Sequence, residues 1–150
     1  MRQGLMQGSM IAGIAAAVVI AGLIGSAAPG RAEVVQLKAT LSGGAEVPPN
    51  DATGGGTVTA SFDTATKVLS WKGSYSGLTG DATAAHFHGP AEAGKNAGVA
   101  VPIKPFAPSF EGSATLNDTQ ASDLLAGRWY VNVHTDANKG GELRGQLNKL

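Results

Sequence analysis

Seven stretches of the chain carry apolar residues at the two-residue period of a β-strand. In VVQLKATL (34–41) Leu37, Ala39 and Leu41 share a face, and in KVLSWKGSY (67–75) Leu69 and Trp71 do. GTVTASF (56–62), DATAAHFH (81–88), FEGSATL (110–116), RWYVNVHT (128–135) and ELRGQLN (142–148) complete the set. Clusters of Gly, Pro and Asn punctuate them. Short strands so separated predict an all-β fold, an antiparallel Greek-key-like β-sandwich. One segment breaks the period. LNDTQASDLLAG (116–127) places Asn117 as an N-cap with Gln120 three residues on, Leu124 and Leu125 as an apolar face, and Gly127 as a stop. It predicts one short connecting helix, about 117–126. Two loops rich in Gly, Pro and Ala remain, 42–56 and 89–108, long enough to be functional in a compact domain.

The start of the chain follows a different pattern. A single Arg in the first ten residues precedes the apolar run MIAGIAAAVVIAGLIG and the small-residue exit SAAPGRA, the order of a secretory signal. The expected division is a signal peptide over 1–32, ending at Ala32, and one domain over 33–150. An uncleaved anchor is the alternative reading; with cleavage the mature form has no membrane span. Secreted or periplasmic placement follows. The whole chain has 11 basic and 11 acidic side chains and no cysteine. Balanced charge without a basic run gives no footprint for nucleic acid. The missing thiol excludes disulfides, thiolate metal sites and a Cys nucleophile, and with them a blue-copper centre.

Against that background the three histidines stand out. Residues two apart on a strand face the same way, so His86 and His88 project together while Phe87 points into the core. In RWYVNVHT, Tyr130, Asn132 and His134 share one face, and Trp129, Val131 and Val133 form the core face. If the two strands are neighbours, all three imidazoles meet on one side of a sheet. A single HxH pair is a weak signal, and surface histidines on strands are common. That every histidine falls on these two strands, facing alike, favours a metal site. Three imidazoles without a thiolate suit copper first and zinc second. The pattern is similar to the zinc site of α-type carbonic anhydrases and to the start of the copper site of Cu/Zn superoxide dismutases. The larger sheet of the first and the further histidines of the second are missing, so neither enzyme is implied. No GxSxG occurs, and GGG (54–56) lacks a following helix, which argues against a hydrolytic triad and a phosphate loop.

After His134, the turn formers Asn138, Gly140 and Gly141 predict a hairpin into ELRGQLN. Glu142, Arg144 and Gln146 then share a face, expected to be that of His134. Glu142, Arg144 and Asn132 are read as a supporting shell that orients the imidazoles through their free N–H groups; a surface ion pair is the plainer alternative. Glu46, in GGAEVPP, is the candidate additional ligand.

LSGGAEVPP, AHFHGPA, YVNVHT and GGELRGQL, in this order, resemble the CHRD (chordin) domain family over about residues 33–148. The resemblance implies an all-β, sandwich-like domain, found singly in secreted bacterial proteins and as repeats in animal chordin. Chordin's Cys-rich modules are absent, so growth-factor binding is not carried over. The expected function is extracytoplasmic metal binding through His86, His88 and His134, for capture, delivery or redox. A binding protein is expected ahead of an enzyme; a catalytic version would be a copper redox or zinc hydration or hydrolysis activity. The competing class is a structural or interaction module without metal, whose polar face contacts another extracytoplasmic protein.

Overall fold

The computed structural model describes residues 32–150, so the signal-peptide reading of residues 1–32 lies, all but Ala32, outside the described residues. Nine strands and one helix follow in order: β1 Val34–Ser42, β2 Gly55–Asp63, β3 Val68–Ser76, β4 Ala82–His88, β5 Val99–Pro102, β6 Ser109–Thr115, α1 Asp118–Leu125, β7 Tyr130–Thr135, β8 Leu143–Gln146 and β9 Asn148–Lys149. The strands form one antiparallel sheet in the order β5-β4-β7-β8-β1-β2-β3-β6, with β9 beside β1. The fold is all-β, as the alternation predicts.

The sheet rolls into two facing halves, β6-β3-β2-β1 and β8-β7-β4-β5. They join where β1 meets β8, paired at Ser42 and Arg144. Trp71 on β3 makes an edge contact with Phe87 on β4 at 5.0 Å between ring centroids, although four strands separate β3 from β4 along the sheet. Only a sheet folded back on itself permits that contact. The inward faces supply a single core that includes Leu37, Phe62, Leu69, Phe87, Trp129, Val131 and Leu143, all nearly inaccessible to water. Burying such side chains contributes about 1.5–3 kcal/mol each, and one slip of register would turn each apolar set outward.

Helix α1 obeys its local signals. Asn117 accepts from the Gln120 N–H while the Gln120 side chain accepts from the Asn117 N–H, a reciprocal capping box. Leu124 is buried, and Gly127 ends the helix at a φ of 73° that only glycine adopts freely.

Three expectations need correction. The 89–108 segment is not one loop: it contains β5, whose Val101 faces the core opposite Phe87. Four residues closed by a proline are too short for periodicity to register, and β5 lies at the sheet edge, where Pro is tolerated. ELRGQLN is not one strand either. The chain leaves β7 after Gln146 and re-pairs as β9 with Leu37 and Lys38 of β1. Finally, β7 begins at Tyr130, and Arg128 lies before it, tied to Asp123 of the helix.

Candidate metal centre

β4 and β7 are neighbours, antiparallel, with His88 opposite Tyr130, His86 opposite Asn132 and Ala84 opposite His134. His86 and His134 are therefore diagonal partners on one face, within reach of long side chains. His88 stands directly across from Tyr130, and the two rings stack at 4.8 Å with an interplanar angle of 3°. Gly89 follows His88 at a point where a Cβ would lie 2.5 Å from Cδ1 of Trp129, so only glycine lets the chain leave the strand there.

The three imidazoles converge. One ligand atom from each of His86, His88 and His134 lies within 4.8 Å of the others. Two nitrogens held at 2.0–2.1 Å by one tetrahedral ion stand roughly 3.3 Å apart; Nδ1 of His86 and Nε2 of His134 already stand at 3.2 Å. The hydrogen bonds fix the tautomers. Nδ1–H of His88 donates to the Ala97 carbonyl at 3.0 Å, and Nδ1–H of His134 donates to the Lys139 carbonyl at 2.9 Å. A carbonyl only accepts, so both rings carry a proton on Nδ1, and in the neutral form the lone pair is left on Nε2. Nε2 of His88 is buried and has no hydrogen-bond partner. Orienting a ligand imidazole by a carbonyl on its far nitrogen is the usual arrangement around bound metals.

Burial is the main cause that lowers the pKa of His86, helped by the other two histidines and by Lys104. Burial likewise lowers His88, against the opposing hydrogen bond to Ala97. Both rings are thereby held towards the neutral form a metal needs.

The polar side of β7 and β8 is not open to solvent, as a surface strand would be. Loops from both long segments cover it. Arg144 is 2% exposed; its guanidinium lies 3.5 Å from the Tyr130 ring centroid and donates to Asn96 and to the Lys95 carbonyl. Asn96 in turn donates to the Val47 carbonyl, and Tyr130 bonds both backbone groups of Ala97. The 95–97 segment that supplies the carbonyl for His88 is thus pinned from beneath.

The expected supporting shell divides. Asn132 is beside the histidines, its amide bearing on both His88 and Glu46. Arg144 acts only through Tyr130 and the 95–97 segment. Glu142 is not in this face at all. Gly141, at a φ of 133°, turns the chain so that the Glu142 carboxylate points to the other side, where it accepts from the Thr79 N–H and hydroxyl at 2.7 and 2.6 Å, Thr135 at 2.5 Å and Asn138 at 3.0 Å. Burial pushes this carboxyl up, but those four donors outweigh it and hold the pKa at about 2. Glu46 is buried but stands outside the histidine cluster. Burial raises its pKa against the pull of Arg144, and its Oε1 and the Asn132 Oδ1 are both buried without a partner.

Tyr130, Ala97, Lys139 and Lys104 complete the surroundings of the three rings without having been singled out from the sequence. Alternation already put Tyr130 on the histidine face, which was its only signal; backbone carbonyls leave none. Among proteins already described, the CHRD domain family matches residues 37–147. No curated protein and no solved structure matches the chain.

Proposed function

The chain belongs to the CHRD domain family, and we propose that it binds one transition-metal ion, copper ahead of zinc, through His86, His88 and His134, for capture or delivery outside the cytoplasm. The observation that carries this reading is the tautomer arrangement. Two imidazoles have their Nδ1 protons tied to backbone carbonyls, and Nε2 of one of them, His88, is buried beside Asn132 without a well-formed hydrogen bond. An unpartnered buried acceptor costs about 1–3 kcal/mol, a cost that a bound cation removes. Neutral nitrogen donors without a thiolate suit copper or zinc. Domains of this family are typically extracellular, which supports the secretory reading of the first 32 residues. Among the described residues no helix is long and apolar enough to cross a membrane.

The test is metal content. Residues 33–150, without a His-tag, are dialysed against copper and zinc separately and bound metal is measured per chain. One equivalent that is lost in His88→Ala supports the reading. Absence of retained metal at micromolar concentration overturns it and favours an interaction module.

A further inference from the structure

We infer that the cavity between the 77–81 loop and the 105–108 segment binds a small organic cation, an ammonium group carried on an aromatic or aliphatic body. The inference stands apart from the metal centre, since none of the three histidines lines this cavity. Three observations carry it: walls already in place, an apolar lining of ligand size, and one carboxylate on that lining which no cation neutralises.

Both walls are fixed by hydrogen bonds. The 77–81 loop joins β3 to β4, and the Thr79 N–H and hydroxyl donate to the buried Glu142 carboxylate at 2.7 and 2.6 Å. The 105–108 segment leads into β6 and is held twice by one residue of β3. The Tyr75 N–H donates to the Pro108 carbonyl at 2.9 Å, and the Tyr75 hydroxyl donates to the Phe106 carbonyl. A ligand therefore spends little binding energy on ordering its site.

The space between the walls is about 630 Å3, within the roughly 300–1,000 Å3 of small-molecule sites. Leu78, Ala82, Pro105 and Phe106 line it together with Tyr75. Leu78 and Phe106 are only half-buried. Large apolar side chains left part-exposed in one concavity mark a ligand site rather than a finished core.

Asp81 decides the charge of the ligand. It lies on the same lining, where there is no Lys, Arg or His, and among the described residues it enters no salt bridge. Its field reaches into the cavity: burial is the main cause that raises the pKa of the Tyr75 phenol, and Asp81 is the second. A field that disfavours a phenolate favours a cation in the same place. The rings of Tyr75 and Phe106 offer negative faces to that cation. An anion would meet repulsion there, and a neutral apolar body would leave the carboxylate unused.

The experiment titrates the isotope-labelled full chain, without added metal, and follows its amide resonances. The probes are phenethylammonium, phenethyl alcohol and phenylacetate, similar in size and different in charge. The expected result is saturable movement of the Leu78, Asp81 and Phe106 amides, with the ammonium bound about tenfold tighter than the alcohol and phenylacetate weakest. Asp81→Asn, at an exposed position, should cut the ammonium preference several-fold and leave binding of the alcohol unchanged. No saturable movement of these amides with any probe overturns the site. Equal affinity for all three probes, or an ammonium preference unchanged in Asp81→Asn, overturns its cationic ligand. Because no metal is added, each of these failures is distinct from a failure of the three-histidine reading.

Discussion

At the scale of single residues, the centre asks opposite things of two neighbours on β7. His134 is half-exposed and spends its Nδ1 on the Lys139 carbonyl. His134→Ala removes a ligand without opening a core cavity, so metal binding should disappear while the melting temperature stays within a few degrees, checked by dialysis and thermal denaturation. Tyr130 carries no ligand atom, yet holds His88 by stacking and holds the 95–97 segment by its hydroxyl. Glu142 is the residue whose chemistry differs most from its expected part. Its carboxyl, at about 2 in the folded chain, stands near 4.3 in an unfolded one. A depressed pKa contributes stability that is complete above the unfolded value and is lost as pH falls towards the folded one. Unfolding free energy should therefore decline between about pH 4.5 and pH 2, and Glu142→Gln should flatten that decline. Glu142→Ala should cost roughly 2 kcal/mol or more at pH 7, because Thr79, Thr135 and Asn138 lose their acceptor. Denaturant titrations across pH check both.

At the scale of elements, the pairing of β4 with β7 creates the centre. Everything about that pairing that depends on side-chain period was legible in the sequence: Phe87, Val131 and Val133 inward, the histidines opposite. Register then converts two faces into one cluster, because His86 lies across from Asn132 and diagonal to His134. The sequence was silent where backbone, and not side chains, decides. Glu142 was expected on the His134 face by simple alternation, and the positive φ at Gly141 breaks that alternation one residue earlier. β5 went unread because four residues give no period, and the cover of 95–97 went unread because it is held by carbonyls and by Arg144. Turn glycines carry weight here. Gly89→Ala would set a Cβ 2.5 Å from Cδ1 of Trp129, and overpacking of this kind costs about 1–3 kcal/mol. It should lower the melting temperature and, by displacing the chain next to His88, weaken metal binding more than Gly98→Ala, where a Cβ meets open space.

At the scale of the whole molecule, a rolled nine-stranded sheet carries an apolar core between its halves and a second, polar layer outside β7 and β8. The core makes the fold stable without disulfides; the polar layer makes one face of it chemically specific. Because burial lowers the pKa of His86 and His88, protons compete with metal at these two rings only below the ordinary histidine range, near 6.5. Metal retained per chain should stay near one equivalent at pH 6.5 and fall only at lower pH, whereas a site of solvated histidines would already be losing metal there. Dialysis at stepped pH reads this directly. The most direct test of the centre itself is long-range proton–nitrogen correlation NMR of the three imidazoles, with and without one equivalent of a diamagnetic ion, zinc or cuprous. The expected result is that the Nε2 resonances of His88 and His134 move together with one ring nitrogen of His86, while the Nδ1 protons of His88 and His134 remain in place. Three imidazole spectra unchanged by a stoichiometric ion would contradict the account.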